Sequence, residues 1–278
     1  MEHVKDNVYV ELISPGCNVG IIPTEKGTLI VDTPLVSRQA KGINDELLAA
    51  GYKPARFIAI THHHGDHILG TNLFGEDMLV IGNRITYENM GKHGPSWVEA
   101  WAKTWTWDNP DDVEEMLAAQ ILRPEVIFKD ELILYLGGVE IWLFPLPGHL
   151  AESTGAFVPE SGVLITGDAL FSDHHPYIGQ GNFQVWLESF KKMRDLRAER
   201  IIPGHGRVCG NEAIDKQQRY MERMVEVRSK WKPTDGEAAI PASAIDELLG
   251  FYPLHGRPEA MMRERITESI RIAGDPQF

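Results

Sequence analysis

The run Phe57-Ile58-Ala59-Ile60 is short and wholly apolar, as a strand buried on both faces requires, and it stops at Thr61 directly before His62-His63-His64-Gly65-Asp66-His67. Five ionisable groups therefore sit on one loop at the carboxyl end of a buried strand, where a rigid scaffold can hold functional side chains. His62 and His64 are two apart on an extended backbone and project to the same side, whereas Asp66 and His67 lie past Gly65, where the chain can turn sharply. That spacing lets two metal ions sit side by side. Nitrogen and oxygen donors without thiolate favour zinc, with iron or manganese as alternatives.

The rest of the chain must supply a scaffold for that loop. Three β-rich runs, Val8 to Ser14, Val19 to Ile22 and Thr28 to Asp32, open it as an antiparallel meander. Ser37 to Ala50 has helical spacing through Ile43, Leu47 and Leu48 and stops at Gly51, which makes a βαβ step into the 57–60 strand. A helix is predicted around Ile68 to Phe74, a strand at Met78 to Ile81 and a helix from Asn83. Residues 84–120, with Trp97, Trp101, Trp105 and Trp107, break this rhythm and read as an insertion.

Strands resume at Val126 to Phe128, Leu132 to Leu136, Val139 to Phe144, Gly155 to Pro159 and Val163 to Thr166, with Leu132 to Leu146 forming a hairpin of two buried strands. Phe183 to Arg197 is an amphipathic helix, and Arg200 to Pro203 a short strand. From Asn211 the pattern is helical, with breaks at 233–236 and 250–258. Two meanders, each followed by helices, imply an α/β (α+β) fold of four layers, αββα. Residues 1–210 would be the catalytic domain and 211–278 a helical extension packed on it.

Composition narrows the function. The 278 residues are 43% hydrophobic and 24% charged, an ordinary soluble composition. With 27 Lys and Arg against 40 Asp and Glu, the net charge of -13 argues against nucleic acid as a partner. The N-terminus is polar, and the 132–146 stretch is interrupted by Gly137-Gly138, Glu140 and Pro145, so neither export by a signal peptide nor membrane insertion is expected. Cys17 and Cys209 are too few for a disulfide framework and are read as inert small residues; the cytoplasm follows as the expected compartment.

Three further polar residues each follow a strand and a glycine: His149 after Pro147-Gly148, Asp168 after Thr166-Gly167, and His205 after Pro203-Gly204. Together with the HxHxDH loop, this set resembles the metallo-β-lactamase superfamily of dinuclear metallohydrolases over about residues 7–210. The resemblance implies the αββα sandwich, with His62, His64 and His149 on the first metal, Asp66, His67 and His205 on the second, and Asp168 bridging them. It also implies that Asp32 supports a ligand histidine. A metal-bridging hydroxide would attack a carbonyl without a side-chain nucleophile, and Asp66 would orient it or pass a proton to the leaving group.

The stretches Thr61 to His67 and Gly167-Asp168-Ala169-Leu170-Phe171 are similar to those of glyoxalase II thioesterases, and the layout resembles acyl-homoserine lactonases. The implied substrate is a small-molecule carbonyl ester, lactone or thioester, and the implied partner list holds no nucleic acid or membrane, with the protein a monomer or homodimer. The alternatives are a β-lactam hydrolase or a small-molecule phosphodiesterase, followed by a persulfide dioxygenase or a non-catalytic effector. Phe171 stands where the lactonases place a tyrosine, so Tyr177 or Tyr87 is the candidate to supply a hydroxyl.

Other residues have bland and functional readings. A group of tryptophans spaced by four, Trp97, Trp101 and Trp105, is expected as helix core, with a pocket wall as the alternative. His63 either supports a ligand from behind or is solvated. His174 and His175 line the pocket mouth or belong to an ordinary loop. His3, His93 and His255 carry no signal.

Overall fold

The computed structural model describes residues 1–13, 15–75, 77–103, 110–231 and 240–273. The first sheet keeps chain order: β1 (Glu2–Lys5), β2 (Val8–Glu11), β3 (Val19–Ile22), β4 (Thr28–Val31), β5 (Ala55–Ile60), β6 (Leu79–Asn83) and β7 (Val126–Phe128). Neighbours are antiparallel from β1 to β4 and parallel from β4 to β7. The switch follows from the connections: the early strands are joined without a crossover helix, and helix α1 (Ser37–Ala49) is the crossover that a parallel β4–β5 pair needs.

The second sheet has β8 (Leu132–Leu136), β9 (Val139–Pro145), β10 (Thr154–Val158), β11 (Val163–Ile165) and β12 (Arg200–Ile202) in the order β12-β11-β10-β9-β8. It is antiparallel except for β11–β12, which α6 (Phe183–Asp195) connects. Side-chain alternation builds the layers. Val8, Val10, Leu29, Val31 and Ala59 of the first sheet meet Ile141, Leu143, Ala156, Val163 and Ile165 of the second in one buried cluster. On the other face, Ile30, Ile58 and Ile60 pack on Ile43 and Leu47, four apart on α1. Burying a side chain of this kind contributes roughly 1.5–3 kcal/mol. The result is the four-layer αββα sandwich.

Helices α7 (Asn211–Lys230), α8 (Ala242–Leu249) and α9 (Glu259–Ile272) share a core with α6 and the outer face of the second sheet, through Trp186, Phe190, Tyr220, Met224, Leu248 and Ile266. The insertion contributes α3 (Arg84–Met90), α4 (Pro95–Ala102) and α5 (Pro110–Leu117), whose Val98, Ala102 and Met116 pack on Leu35, Val36 and Leu69. Among the described residues no helix is long and apolar enough to cross a membrane.

Three expectations change. The helix expected at 68–74 is instead α2 (Gly65–Ile68) followed by turns. Thr33 Oγ1 accepts the Gly70 N–H at 3.1 Å, the donor a continuing helix would use. The β8–β9 hairpin is not buried throughout: β8 ends its sheet, so Leu132, Leu134 and Leu136 turn inward while Ile133 and Tyr135 are 41% and 73% exposed. The polar N-terminus adds β1, an edge strand held by pairing with β2 rather than by burial.

Candidate metal centre

Every sequence-predicted donor lies just past the carboxyl end of a strand: His62, His64, Asp66 and His67 after β5, His149 after β9, Asp168 after β11 and His205 after β12. His62 Nε2 and His149 Nε2 lie 3.1 and 3.0 Å from His64 Nδ1. Asp168 Oδ2 approaches them at 3.9 Å from His62 Nε2 and 3.6 Å from His149 Nε2. On the other side, Asp168 Oδ1 is 3.3 Å from both His67 Nε2 and His205 Nε2, and Asp66 Oδ2 is 3.3 Å from His205 Nε2 and 3.7 Å from His67 Nε2. Asp168 thus turns one oxygen to each group of donors.

The outer atoms of the imidazoles decide which nitrogen faces inward. His62 Nδ1 contacts Thr61 Oγ1 at 3.0 Å, and that hydroxyl donates to Asp32 Oδ2 at 2.8 Å. His64 Nε2 donates to Gln180 Oε1 at 3.0 Å, and His149 Nδ1 to the Tyr177 carbonyl at 3.1 Å. His67 Nδ1 donates to Asp32 Oδ2 at 2.8 Å. Each outer nitrogen is spent on an acceptor, so the inner nitrogen is the one a neutral ring offers as a lone pair.

Inward lone pairs of His62 and His149 at 3.1 and 3.0 Å from that of His64 repel it unless a cation lies between them. Their spacing is close to the edge, roughly 3.3 Å, of a tetrahedron with zinc–nitrogen bonds of ~2.0–2.1 Å. His67 Nε2 and Asp168 Oδ1 are buried and make no hydrogen bond. Among the described residues three groups have the spacing to hold an ion: His62, His64, His149 with Asp168; Asp66, His67 and His205; and Cys17, Asp32 and His67, whose His67 is shared with the second. The donor set fits a pair of divalent metals.

The scaffold is specific to this arrangement. Asp32, buried at the end of β4, has φ of 62°, a strained setting for a non-glycine residue, and its Oδ1 accepts the Thr61 N–H at 2.8 Å. Gly204 lies so near Asp168 that a Cβ would stand 2.0 Å from Oδ1. Asn18 Nδ2 donates to the Pro203 and Gly206 carbonyls at 2.9 and 2.7 Å, which ties the His205 loop to the first sheet.

Electrostatics divides the site. Burial pushes His62 and His64 below the usual histidine range and His149 down to about 3. Burial acts the same way on His67 and His205, but at His67 the fields of Asp32, Asp66 and Asp168 outweigh it, and at His205 Asp168 and Asp66 hold the value up at about 9. Asp168 stays ionised because His205 and His67 overcome the penalty of its burial.

The remaining expectations divide as well. Tyr177 flanks the site, its ring 6.0 Å from His64 and 6.2 Å from His149, whereas the Tyr87 ring is covered by Arg123 at 3.7 Å. His174 sits 6.4 Å from His205 and stacks on His255; His175 turns into the C-terminal helices and meets Tyr220 Oη at 3.1 Å. Trp97 and Trp101 pack on the insertion's core, and Trp101 also faces His64 at 5.7 Å; Trp105 and Trp107 lie outside the described residues. His63 meets the buried carboxylate of Glu152. Cys17 is buried beside Asp32 and His67. Glu152, Gln180 and His93 had no sequence signal, being single polar residues outside any motif.

Similarity to known proteins matches this geometry. The chain is 26% identical over 220 residues to a beta-lactamase-like protein 2 homolog from Caenorhabditis elegans, covering 76% of this chain and 62% of that one. It is 27% identical over 157 residues to a hydroxyacylglutathione hydrolase from Bartonella quintana, covering 56% and 48%. The chain thus spans about half to three fifths of these relatives' lengths. A metallo-beta-lactamase family protein from Thermus thermophilus shares the fold, with a TM-score of 0.63 at 20% identity over 95% of this chain and 91% of that one. The profile of the metallo-beta-lactamase superfamily matches residues 15–205, the span that carries all seven donors, and the chain belongs to that superfamily.

Proposed function

We propose that this protein is a two-metal hydrolase that cleaves a small-molecule carbonyl ester, lactone or thioester, with Asp66 as its catalytic carboxylate. The observation that carries the reading is Asp168, whose two oxygens face two separate donor groups. His62, His64 and His149 would hold one ion, Asp66, His67 and His205 the other, and Asp168 both. Divalent ions there, zinc by the character of the donors, supply Lewis acidity and an activated water.

The chain's own groups do the rest. Thr61, Gln180 and the Tyr177 carbonyl hold three imidazoles in the tautomer that points a lone pair inward, and Asp32 does so for His67. Asp66 stays ionised: burial pushes its carboxyl up, but His67 and His205 pull it below the usual carboxylate range. An ionised carboxylate at that position accepts the proton of the attacking water and returns it to the leaving group. Tyr177 and Trp101 flank His64 and offer apolar surface to a substrate. A relative named for the hydrolysis of an acylglutathione supports a thioester or ester, and the net charge of -13 supports a small molecule rather than a polyanion.

Metal analysis followed by relative kcat/KM on one metal-loaded preparation tests the proposal. Two ions per chain and preference for an ester, lactone or thioester are expected. Phosphodiesters or β-lactams outrunning all of these would overturn the substrate class. One iron per chain with oxygen uptake on a persulfide would overturn the reaction.

A further inference from the structure

The carboxylate of Glu152, 3% exposed, meets His63 Nδ1 and also accepts from Asn89 Nδ2 at 3.3 Å. These three residues come from the metal loop after β5, the loop after His149 and the last turn of α3. A buried carboxylate adds little net stability even when paired, so the contacts of Glu152 are read for the geometry they impose. Lys92 Nζ donates to Asn89 Oδ1 at 2.7 Å, which turns the amide's N–H toward Glu152.

From His63 a chain of rings runs out along the insertion and back. His63 stacks on His93 at 5.3 Å, His93 on Trp97 at 3.6 Å and 12°, Trp97 contacts Trp101 at 5.7 Å, and Trp101 returns to His64 at 5.7 Å. The circuit closes tightly: a Cβ at Gly65 would stand 2.6 Å from Trp101 Cδ2, so this wall rests directly on the backbone of the metal loop. Tyr177, 42% exposed, stands on another side of the same imidazole.

We propose that His63, Glu152 and Asn89 are positioning residues that clamp the α3–α4 segment to the metal loop and so set Trp101 as the wall that selects an apolar, planar acyl group. The substrate half of this inference rests on the ester reading above; the clamp does not. Two aromatic faces around His64 suit an aryl-bearing acyl group, because ring pairs attract each other beyond the area they bury. A purely structural role for Glu152 would weaken the fold and leave the selection among acyl groups unchanged.

The test uses the full chain labelled with 5-fluorotryptophan, in which the Trp101 resonance is identified by its loss in Trp101→Phe. Asn89→Ala removes one donor and changes no residue of the metal loop, although its amide also lies 3.4 Å from His63 Nδ1, and Glu152→Gln weakens both bonds at nearly constant shape. Both should shift or broaden the Trp101 resonance and leave that of Trp142, on β9, in place. On the metal-loaded protein, the kcat/KM ratio of a phenylacetate ester over the acetate ester of the same alcohol should fall about fivefold or more, mainly through KM for the aryl ester. In the Trp101→Phe background, Asn89→Ala should cause no further fall. An unmoved Trp101 resonance in both variants overturns the clamp, as does a further fall in the double variant. If neither ester is turned over, the ester reading fails by itself and the fluorine spectrum alone decides the clamp.

Discussion

His62, His64 and His149, on one side of Asp168, are neutral imidazoles whose outer nitrogens rest on neutral acceptors: a hydroxyl, a side-chain amide and a backbone carbonyl. On the other side, His67 and His205 sit among Asp32, Asp66 and Asp168 and hold their protons above the usual histidine range. Both halves are buried, so desolvation does not distinguish them; the number of carboxylates does. The neutral half can take a cation without losing a proton, whereas the acidic half must first expel the protons that balance its carboxylates. This asymmetry teaches that two donor groups sharing one carboxylate can suit a cation for different electrostatic reasons.

The largest expected effect erases the distinction by removing the group both halves share. Asp168→Ala should lower kcat/KM by about 10³-fold or more, while substrate affinity changes far less, since the carboxylate organises the reacting centre. Turnover within about tenfold of the parent would remove Asp168 from the bridging role. Next comes the supporting layer. Asp32→Asn should weaken metal affinity of the acidic half about 10–100-fold, whereas Gln180→Ala, which removes a neutral acceptor, should cost the neutral half less than about tenfold. Competition with a chelator reads both, and equal losses would break the comparison.

Proton release sharpens it. At pH 7, ion entry into the acidic half should release about two protons, from His67 and His205, and entry into the neutral half close to none. The sign follows from the shifts: groups held above neutral pH must deprotonate to bind, so affinity of the acidic half rises with pH toward about 9. The neutral half should weaken only as pH falls below the usual histidine range, with His149 taking up a proton at about 3. Calorimetric titration in two buffers of different ionisation enthalpy measures this directly, and equal release from both steps would contradict it. The smallest effect concerns Cys17, whose thiol burial pushes up to about 12 and so keeps neutral despite its place beside Asp32 and His67. Cys17→Ala should leave two ions per chain; loss of the second would make the thiol a ligand.

The strands and most of the donors were legible because their signals are local. An apolar run predicts β5 wherever it packs, and His62 to His67 is a contiguous pattern on the loop that β5 must present. His149, Asp168 and His205 each follow a strand and a glycine, a pattern carried by a few adjacent residues. The misreadings share a cause in long-range contacts. Helix α2 stops at Ile68 because Thr33, far upstream, takes the Gly70 N–H. Strand β8 is half exposed because it ends its sheet, a fact of topology rather than of its own residues.

The sequence by itself determined the main order of strands and helices and the αββα class, since periodicity acts over a few residues, and its motifs, through the family they resemble, pointed to seven candidate donors. Only the tertiary structure decided that Asp168 turns one oxygen to each half, that Gln180 and Tyr177 set the tautomers of His64 and His149, and that Glu152 joins His63 to Asn89. The Gln180, Tyr177 and Glu152 pairings connect residues from 28 to 116 positions apart. No local pattern encodes such a contact; packing two sheets and an inserted helical segment against one another brings the partners into reach, and burial then requires each polar atom to find one.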